Sequence, residues 1–372
     1  MRARDNRESH RGSTPLELLF DLCFVVAVAA VSDRLHHALV EDHVDDGVIA
    51  YLMVFFGIWW AWMNFTWFAS AYDTDDIAYR LTTFVQIAGV LVLAAGVPRA
   101  FDEKDFTLIV IGYVVMRLGL VTQWLRAAAG DPAGRTTALR FATGVTACMC
   151  GWALLLVVKP PWLLIVFVVM AGFELAVPLW AEASRNTPWH PHHIAERYGL
   201  FTLIVLGETV LSSTAAVQRG LAGGAAPELV GVAICGLVIV FGMWWVYFGQ
   251  PAERILVSNR QGFRWGYGHF LIFSSAAAVG TGMAVVVDAT SHIGHASTAL
   301  AGAAVAVPVA VYVMSVWLLH VRPQHPSRAA DLAYPAAGAL VLVSILTPWP
   351  LPLIAAVVAG LVATCVVVDA RS

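Results

Sequence analysis

The chain has 372 residues, of which 59% are hydrophobic and only 13% are charged, and its mean hydropathy is +0.74. Soluble globular domains carry about 25% charged residues, so this composition excludes that class and predicts an integral membrane protein. The net charge of −3 is spread thinly without a basic patch, which argues against a nucleic-acid partner. The five cysteines lie in apolar runs without a Cys-x-x-Cys, which argues against disulfides or redox chemistry.

The first apolar run follows a polar tail, residues 1–14, which we interpret as an uncleaved cytoplasmic segment. Thr14-Pro15-Leu16-Glu17 has the form of a helix capping box with proline at the first helical position. Glu17 is therefore either a cap or a functional carboxylate at a vestibule. Asp21 lies one turn deeper on the same helix face. Placing a carboxylate in hydrocarbon costs about 2.5–3.5 kcal/mol, so we expect Asp21 to face protein or trapped water.

A membrane-spanning helix needs about 20 mainly apolar residues. Three prolines (Pro348, Pro350 and Pro352) crowd the junction of the last two apolar runs, so ten spans and a hairpin are the alternative to twelve spans. The twelve predicted spans are 15–38, 47–69, 79–98, 106–127, 138–158, 162–182, 193–217, 228–248, 264–287, 298–320, 331–347 and 350–369.

The basic residues predict that both termini are cytoplasmic. If the N-terminus is inside, sixteen of the 22 Lys and Arg residues fall in inner segments and Arg117 falls within a span. The outer segments then carry only Arg34, Arg99, Lys104, Lys159 and Arg219. This asymmetry supports both the twelve-helix count and the topology with both termini inside.

An internal repeat indicates two similar halves. The stretch 56–62 (FGIWWAW) returns as 241–247 (FGMWWVY), and Tyr79-Arg80 at the start of the third span matches Phe263-Arg264 at the start of the ninth. An even number of helices in each half makes the halves parallel, with a pseudo-two-fold axis along the membrane normal. The predicted fold is an all-α integral membrane protein with a tail (1–14), a first six-helix repeat (15–185) and a second (186–372).

Two charged residues inside the membrane are expected to pair. Arg117 lies nine residues before Arg126 on the fourth span, and Glu174 lies eight residues before Glu182 on the sixth. Both spans cross the membrane in the same direction, so Arg117 and Glu174 should lie at nearly the same depth. A buried pair of this kind is either a structural lock or part of a transport site.

The seventh span carries His193, Glu196 and Arg197 at its inner mouth and Glu208 near its middle. Arg197 and Glu208 are eleven residues apart, so they share a face but lie about 16 Å apart along the axis. Glu208 has no cation within one turn of its own helix. Such a residue either stays protonated or faces a wet cavity, and both states favour the handling of protons or cations.

Other polar and aromatic residues admit two interpretations each. The aromatic face of the second span either packs in the core or surrounds a polar pathway; it consists of Trp59, Trp60, Trp62, Trp67 and Asn64. The acids of the following loop, Asp73, Asp75 and Asp76, are either solvated or bonded to Arg80. His269, on the ninth span, is a lone intramembrane histidine that is either a hydrogen-bonded core residue or a ligand.

A group of histidines and acids is expected at the outer edge of the membrane. Its members are His36, His37, Glu41, Asp42, His43, Asp45, Asp46, Asp288, His292 and His295. They could hold a divalent ion, but no ligand spacing recurs. We therefore predict neither a metal site nor a cofactor.

Three stretches resemble the bacterial low temperature requirement A (LtrA) family: 14–25 (TPLELLFDLCFV), 60–68 (WAWMNFTWF) and 196–208 (ERYGLFTLIVLGE). The resemblance implies a multi-pass bacterial inner-membrane protein, named for a cold-growth phenotype and without an established biochemical activity. The stretch 16–21 is also similar to the first helix of potassium channels that carry an Arg…Phe-Ser-Asp motif and six-helix repeats. That helix lines their pore, but here Pro15 or a neighbour replaces the Arg, and the Ser is absent.

These observations predict a cation- or proton-linked channel or transporter with intramembrane carboxylates lining its pathway. Its partners would be the lipid bilayer and a small ion or small-molecule substrate, and the pathway lies either within one chain or at a homodimer axis. The predicted pathway and polar network comprise Glu17, Asp21, Asn64, Arg80, Arg117, Glu174, His193, Glu196, Arg197, Glu208, Arg264 and His269.

Two alternatives come from other classes of protein. One is a membrane-embedded enzyme acting on a lipid or prenyl substrate, with Glu208, His193 and Arg197 as acid, base and anion holder. It predicts a polar pocket of head-group size, and the chain carries no catalytic motif that supports it. The other is a membrane receptor or scaffold in cold or stress adaptation, which has little extramembrane mass with which to engage a soluble partner.

Overall fold

The computed structural model describes residues 1–5, 8, 11–158, 162–222, 226–292, 296–324 and 327–370, without the side chains of residues 222, 226, 227 and 369. Lys159, which bears on the topology, and His295 of the outer histidine group lie outside the described residues.

Over the described residues the chain is helical, and twelve helices are long and apolar enough to cross a membrane. They are α1 (Pro15–Val40), α2 (Val44–Tyr72), α3 (Ile77–Asp102), α4 (Thr107–Gly130), α5 (Arg135–Trp152), α6 (Trp162–Glu182), α7 (Pro191–Ala222), α8 (Ala226–Phe248), α9 (Asn259–Thr290), α10 (Thr298–Val316), α11 (Arg328–Val343) and α12 (Pro350–Asp369). The predicted number of helices long and apolar enough to span a membrane is confirmed, and the last two apolar runs each form one such helix. A π-helical turn, Trp317–Val321, continues directly from α10.

Short polar side chains determine where several helices begin. Asp76, Ser258, Ser297 and Ser327 each accept a hydrogen bond from the backbone N–H three residues ahead, in the first turn of α3, α9, α10 and α11. Such caps satisfy N–H groups that have no partner within the helix. Pro350 starts α12, where its missing N–H costs nothing and its fixed φ favours the helix.

The chain forms two compact units. The first contains Met1–Val31 and Met53–Tyr198, and the second contains Ser32–Leu52 and Gly199–Ser372. Within the first unit, glycines let α3 and α4 approach backbone to backbone: a Cβ atom on Gly112 would lie 2.5 Å from the carbonyl oxygen of Gly89. The predicted division into repeats at residue 185 and the cytoplasmic placement of the termini stay predictions.

The aromatic side chains of α2 form part of the core of the first unit. Trp59, Trp60 and Trp62 are almost completely buried. These three residues of the aromatic face therefore pack in the core, whereas Trp67 and Asn64 are only partly buried. Two of these tryptophans also donate hydrogen bonds to buried carboxylates, so the core and the polar sites of this unit share the same helix.

Candidate functional site

The first turns of α1 and α7 hold a group of charged side chains inside the first unit. We call this group the acid–arginine cluster; it consists of Glu17, Asp21, His193 and Arg197. All four side chains have no exposed surface. Each belongs to the pathway predicted from the sequence, and the structure brings them into direct contact.

Glu17 is both a helix cap and a member of the cluster. The N–H of Thr14 donates to Glu17 Oε2 at 2.8 Å, and the N–H of Glu17 donates to Thr14 Oγ1 at 3.3 Å, which is the reciprocal pattern of a capping box. Its other oxygen, Oε1, lies 3.0 Å from Arg197 Nη1. The two interpretations of Glu17 are thus not exclusive, because one carboxylate uses its two oxygens for the two contacts.

Asp21 is held by three donors. Arg197 approaches it side on, with Nε 2.9 Å from Oδ2 and Nη2 2.5 Å from Oδ1. Trp62 Nε1 donates to the same Oδ1 at 2.6 Å. A bidentate guanidinium–carboxylate pair has both the strongest and the most directional geometry for such a contact. Asp21 therefore faces protein rather than lipid, as the sequence predicts.

His193 lies beside Glu17, and its protonation state contributes to the net charge of the cluster. His193 Nε2 lies 3.1 Å from Glu17 Oε1 and 3.2 Å from Oε2. Two carboxylates face one guanidinium, so with a neutral imidazole the cluster carries one excess negative charge. A proton on His193, or on one of the carboxylates, brings the cluster to neutrality. An uncompensated charge is costly in a low-dielectric interior, so the neutral state of the cluster is favoured.

The N-terminal tail packs against the end of α2, close in sequence to the cluster. Arg11 donates to the carbonyl oxygens of Ser70 and Ala69, the latter at 2.8 Å, and lies 3.9 Å from Asp73 Oδ2. Both carbonyls belong to the last turn of α2, where that of Ala69 also accepts a hydrogen bond from the N–H of Asp73 at 3.1 Å. Burial, followed by the negative charge of Glu17, raises the pKa of Asp73 to about 6. Glu196, also predicted, accepts from the N–H of Ser13 at 3.3 Å.

The first unit contains a second buried charge pair. Arg117 Nη2 is 3.6 Å from Glu174 Oε2, so the pairing predicted from the sequence is confirmed. Glu174 also accepts hydrogen bonds from Trp60 Nε1 at 2.7 Å, Trp152 Nε1 at 2.9 Å and the Tyr113 hydroxyl at 3.1 Å. This carboxylate is surrounded by donors, which is the pattern of a structural lock.

Three residues of the predicted network lie away from these buried clusters. Asn64 Nδ2 donates to the Trp60 carbonyl of its own helix at 2.8 Å. Arg80 is half-exposed and pairs with Asp75 at 2.7 Å, which is the loop contact that the sequence suggested. Arg264 is an exposed residue at the start of α9.

The two remaining predicted residues belong to the second unit. Glu208 is half-buried on α7 and accepts a hydrogen bond from Ser212 Oγ at 2.8 Å. His269 is fully buried and hydrogen-bonded, as expected of a core residue. It is not a lone histidine, however, because His320 Nε2 lies 3.4 Å from His269 Nε2. Residues 269 and 320 are 51 positions apart, so no local sequence pattern indicates this contact.

Neither of two cavities within the units has the polar character that a lipid head group needs. One, of about 40 Å³, lies among α2, α4, α5 and α6, and its lining includes Phe56, Phe106 and Phe167. The other, of about 220 Å³, lies among α7, α8 and α9 and is mainly apolar, with Ser213, Thr214 and Gln218 as its polar lining. Residues His193 and Arg197, which the enzyme alternative requires as base and anion holder, both contact Glu17.

The outer histidine group does not form a metal centre in the described part of the chain. His36 Nε2 pairs with Asp288 Oδ2 at 2.7 Å within the second unit. Among the described residues, no three or more His, Cys, Asp or Glu side chains are arranged to hold a metal ion.

Twelve helices long and apolar enough to cross a membrane define a multi-pass helical membrane protein. The model of the bacterial low temperature requirement A protein (LtrA) family matches residues 12–368, and the chain belongs to that family. An uncharacterized protein of Rhizobium meliloti (strain 1021), RA0937, is 29% identical over 261 residues, which are 68% of this chain and 61% of the relative. The chain thus matches about three fifths of that relative's length. No solved structure matches the chain.

Proposed function

We propose that this protein is a transport protein of the bacterial inner membrane, a cation- or proton-linked channel or carrier with both termini in the cytoplasm. The observation that carries the proposal is the acid–arginine cluster: two fully buried carboxylates share one guanidinium and one imidazole. Ionisable side chains within membrane spans are costly, so they are functional candidates by default.

The cluster supplies a mechanism by which protons and cations would compete. Glu17 Oε1 is shared between Arg197 Nη1 at 3.0 Å and His193 Nε2 at 3.1 Å. When His193 holds a proton, the two carboxylates are balanced by two cations. When that proton leaves, the excess negative charge attracts a replacement, and a small metal cation is the simplest one. Proton release and cation entry would thus be coupled by charge balance.

Glu208 is the second acid of the proposed pathway. It is half-buried, and its described partner is a neutral hydroxyl, that of Ser212. An acid with a neutral partner can take up or release a proton without breaking an ion pair. We therefore assign Glu208 the role of a transient proton or cation site, and Asp21 the role of an anchor that holds Arg197.

The experiment is ion flux into proteoliposomes that contain the purified protein, under K⁺, Na⁺ and H⁺ gradients. We expect flux for the wild type, a loss of at least tenfold in Glu208→Gln and Asp21→Asn, and no change in the control Asp75→Asn. Asp75 is a suitable control because it is half-exposed and pairs with Arg80 in a loop. Size-exclusion chromatography in detergent checks that each variant is folded.

Two results would contradict the proposal. Flux that persists in both folded variants would show that these acids do not serve transport. If the wild type shows no flux under any gradient, the protein does not transport these ions. That result would favour export of a small molecule or lipid chemistry.

A further inference from the structure

The second unit contains a buried group of nitrogen and oxygen donors that the transport proposal does not use. We call it the histidine triad: Tyr247 on α8, His269 on α9 and His320 in the π-helical turn. Tyr247 Oη lies 3.0 Å from His269 Nε2, and His320 Nε2 lies 3.4 Å from the same atom. His269 and His320 have no exposed surface, and Tyr247 has almost none.

A backbone contact fixes the tautomer of His269. Its Nδ1 lies 2.7 Å from the carbonyl oxygen of Trp265, one turn earlier on α9. A carbonyl only accepts, so Nδ1 carries the proton and Nε2 keeps its lone pair directed at the other two members of the triad. A histidine whose second nitrogen donates to a backbone carbonyl is the usual arrangement of a metal ligand.

The backbone around His320 is unusual in a way that serves the triad. Residues Trp317–Val321 form a π-helical turn, and such turns are rare and frequently occur at functional sites. Gly268, next to His269, allows this turn to pack closely, because a Cβ atom there would lie 2.5 Å from Leu319 Cδ1. An irregular turn and a glycine thus together bring two histidines from distant parts of the chain to one point.

We propose that the histidine triad binds a single Cu⁺ ion, with His269 and His320 as ligands through Nε2 and Tyr247 as a weaker third ligand. The separation of 3.4 Å between the two nitrogens is long for an N–H···N hydrogen bond. It matches two metal–nitrogen bonds of about 2.0 Å at an angle of about 115°. Imidazole is a ligand that copper accepts.

The choice of a monovalent ion follows from the charge of the donors. Two neutral imidazoles and a phenol supply no negative charge to the site. Enclosing a divalent ion among neutral groups in a dry interior is more costly than enclosing a monovalent one. The proposal is independent of ion transport through the acid–arginine cluster, since it concerns different residues in the second unit.

The test is anaerobic titration of the purified full-length protein in detergent with Cu⁺, in competition with a chromogenic chelator. We expect one equivalent per chain, and at least a tenfold loss of affinity in both His269→Gln and His320→Gln. The control His37→Gln, at a half-exposed histidine of α1, should bind as the wild type does. Equal binding by the wild type and both triad variants, or no binding by the wild type, would overturn the proposal.

Two measurements on the wild type alone keep the proposal testable if a triad variant fails to fold. X-ray absorption of the copper-loaded protein should show nitrogen and oxygen neighbours at about 2.0 Å; a shell of sulfur neighbours would overturn the assignment. Zn²⁺ should bind at least tenfold more weakly than Cu⁺. Equal or tighter binding of Zn²⁺ would refute the argument from charge.

Discussion

Replacing Arg197 by methionine should destabilise the first unit strongly, because one guanidinium serves two buried carboxylates. The variant Arg197→Met keeps an apolar side chain of similar length but removes the bidentate contact to Asp21 and the 3.0 Å contact to Glu17. Breaking a buried ion pair by removing one partner typically costs about 3–5 kcal/mol, since the other charge stays buried. We expect a loss of that size in the free energy of unfolding.

A second substitution should restore most of the loss. In Arg197→Met combined with Asp21→Asn, the remaining carboxylate of Glu17 keeps His193 as its partner, and the amide oxygen of residue 21 can still accept from Trp62 Nε1. The double variant should therefore recover at least about 2 kcal/mol relative to the single one.

The assay is reversible unfolding in mixed micelles, followed by tryptophan fluorescence. The control is Arg80→Met, which breaks the half-exposed pair with Asp75 and should cost no more than about 1 kcal/mol. The expected role of Arg197 is refuted if the free energy of unfolding of Arg197→Met lies within about 1 kcal/mol of that of the wild type and the double variant is no more stable than the single one. The buried carboxylates would then not depend on Arg197 for their stability.

Burial raises the pKa of Asp73 from 3.8 to about 6, so its ionised form destabilises the fold, and the penalty is complete above pH 6 and absent below pH 3.8. Asp73→Asn should therefore raise the thermal midpoint at pH 8 and leave it unchanged near pH 3.5; a lower midpoint at pH 8 would mean that pairing with Arg11 outweighs burial. Gly112→Ala should cost about 1–3 kcal/mol of stability, because the added methyl group meets the backbone of Gly89. Gly172→Ala is the matched control and should be nearly neutral, because the added carbon meets nothing within 4 Å beyond its chain neighbours and the adjacent backbone of its own helix.

Hydropathy predicts the number of helices because each span must be apolar along its length and must form its backbone hydrogen bonds within itself. That requirement acts within about 20 residues, so it is readable from a single sequence. The Arg117–Glu174 pair was predictable for a related reason, because the depth of a residue in the membrane can be counted along its helix. Two opposite charges at the same depth stabilise each other by pairing.

Contacts that depend on which helices are neighbours were not predictable. Asp21 and Arg197 are 176 residues apart, and the sequence around either residue does not indicate the other as its partner. Within α7, the spacing along the helix relates Arg197 only to Glu208, which shares its face. From the sequence His269 is a lone histidine for the same reason. His320 approaches it through a π-helical turn that has no sequence pattern of its own.

The distance in sequence between Asp21 and Arg197 has a consequence for how the protein is made. Ribosomes add about 5–20 residues per second, so Asp21 is synthesised roughly 9–35 s before its guanidinium partner Arg197. Until then the first turns of α1 carry two acids, each costing about 2.5–3.5 kcal/mol in hydrocarbon. The start of α1 should therefore wait at the membrane surface or beside the insertion machinery, and settle only when α7 arrives. α1 would thus reach its final position only after helices that are synthesised later than itself.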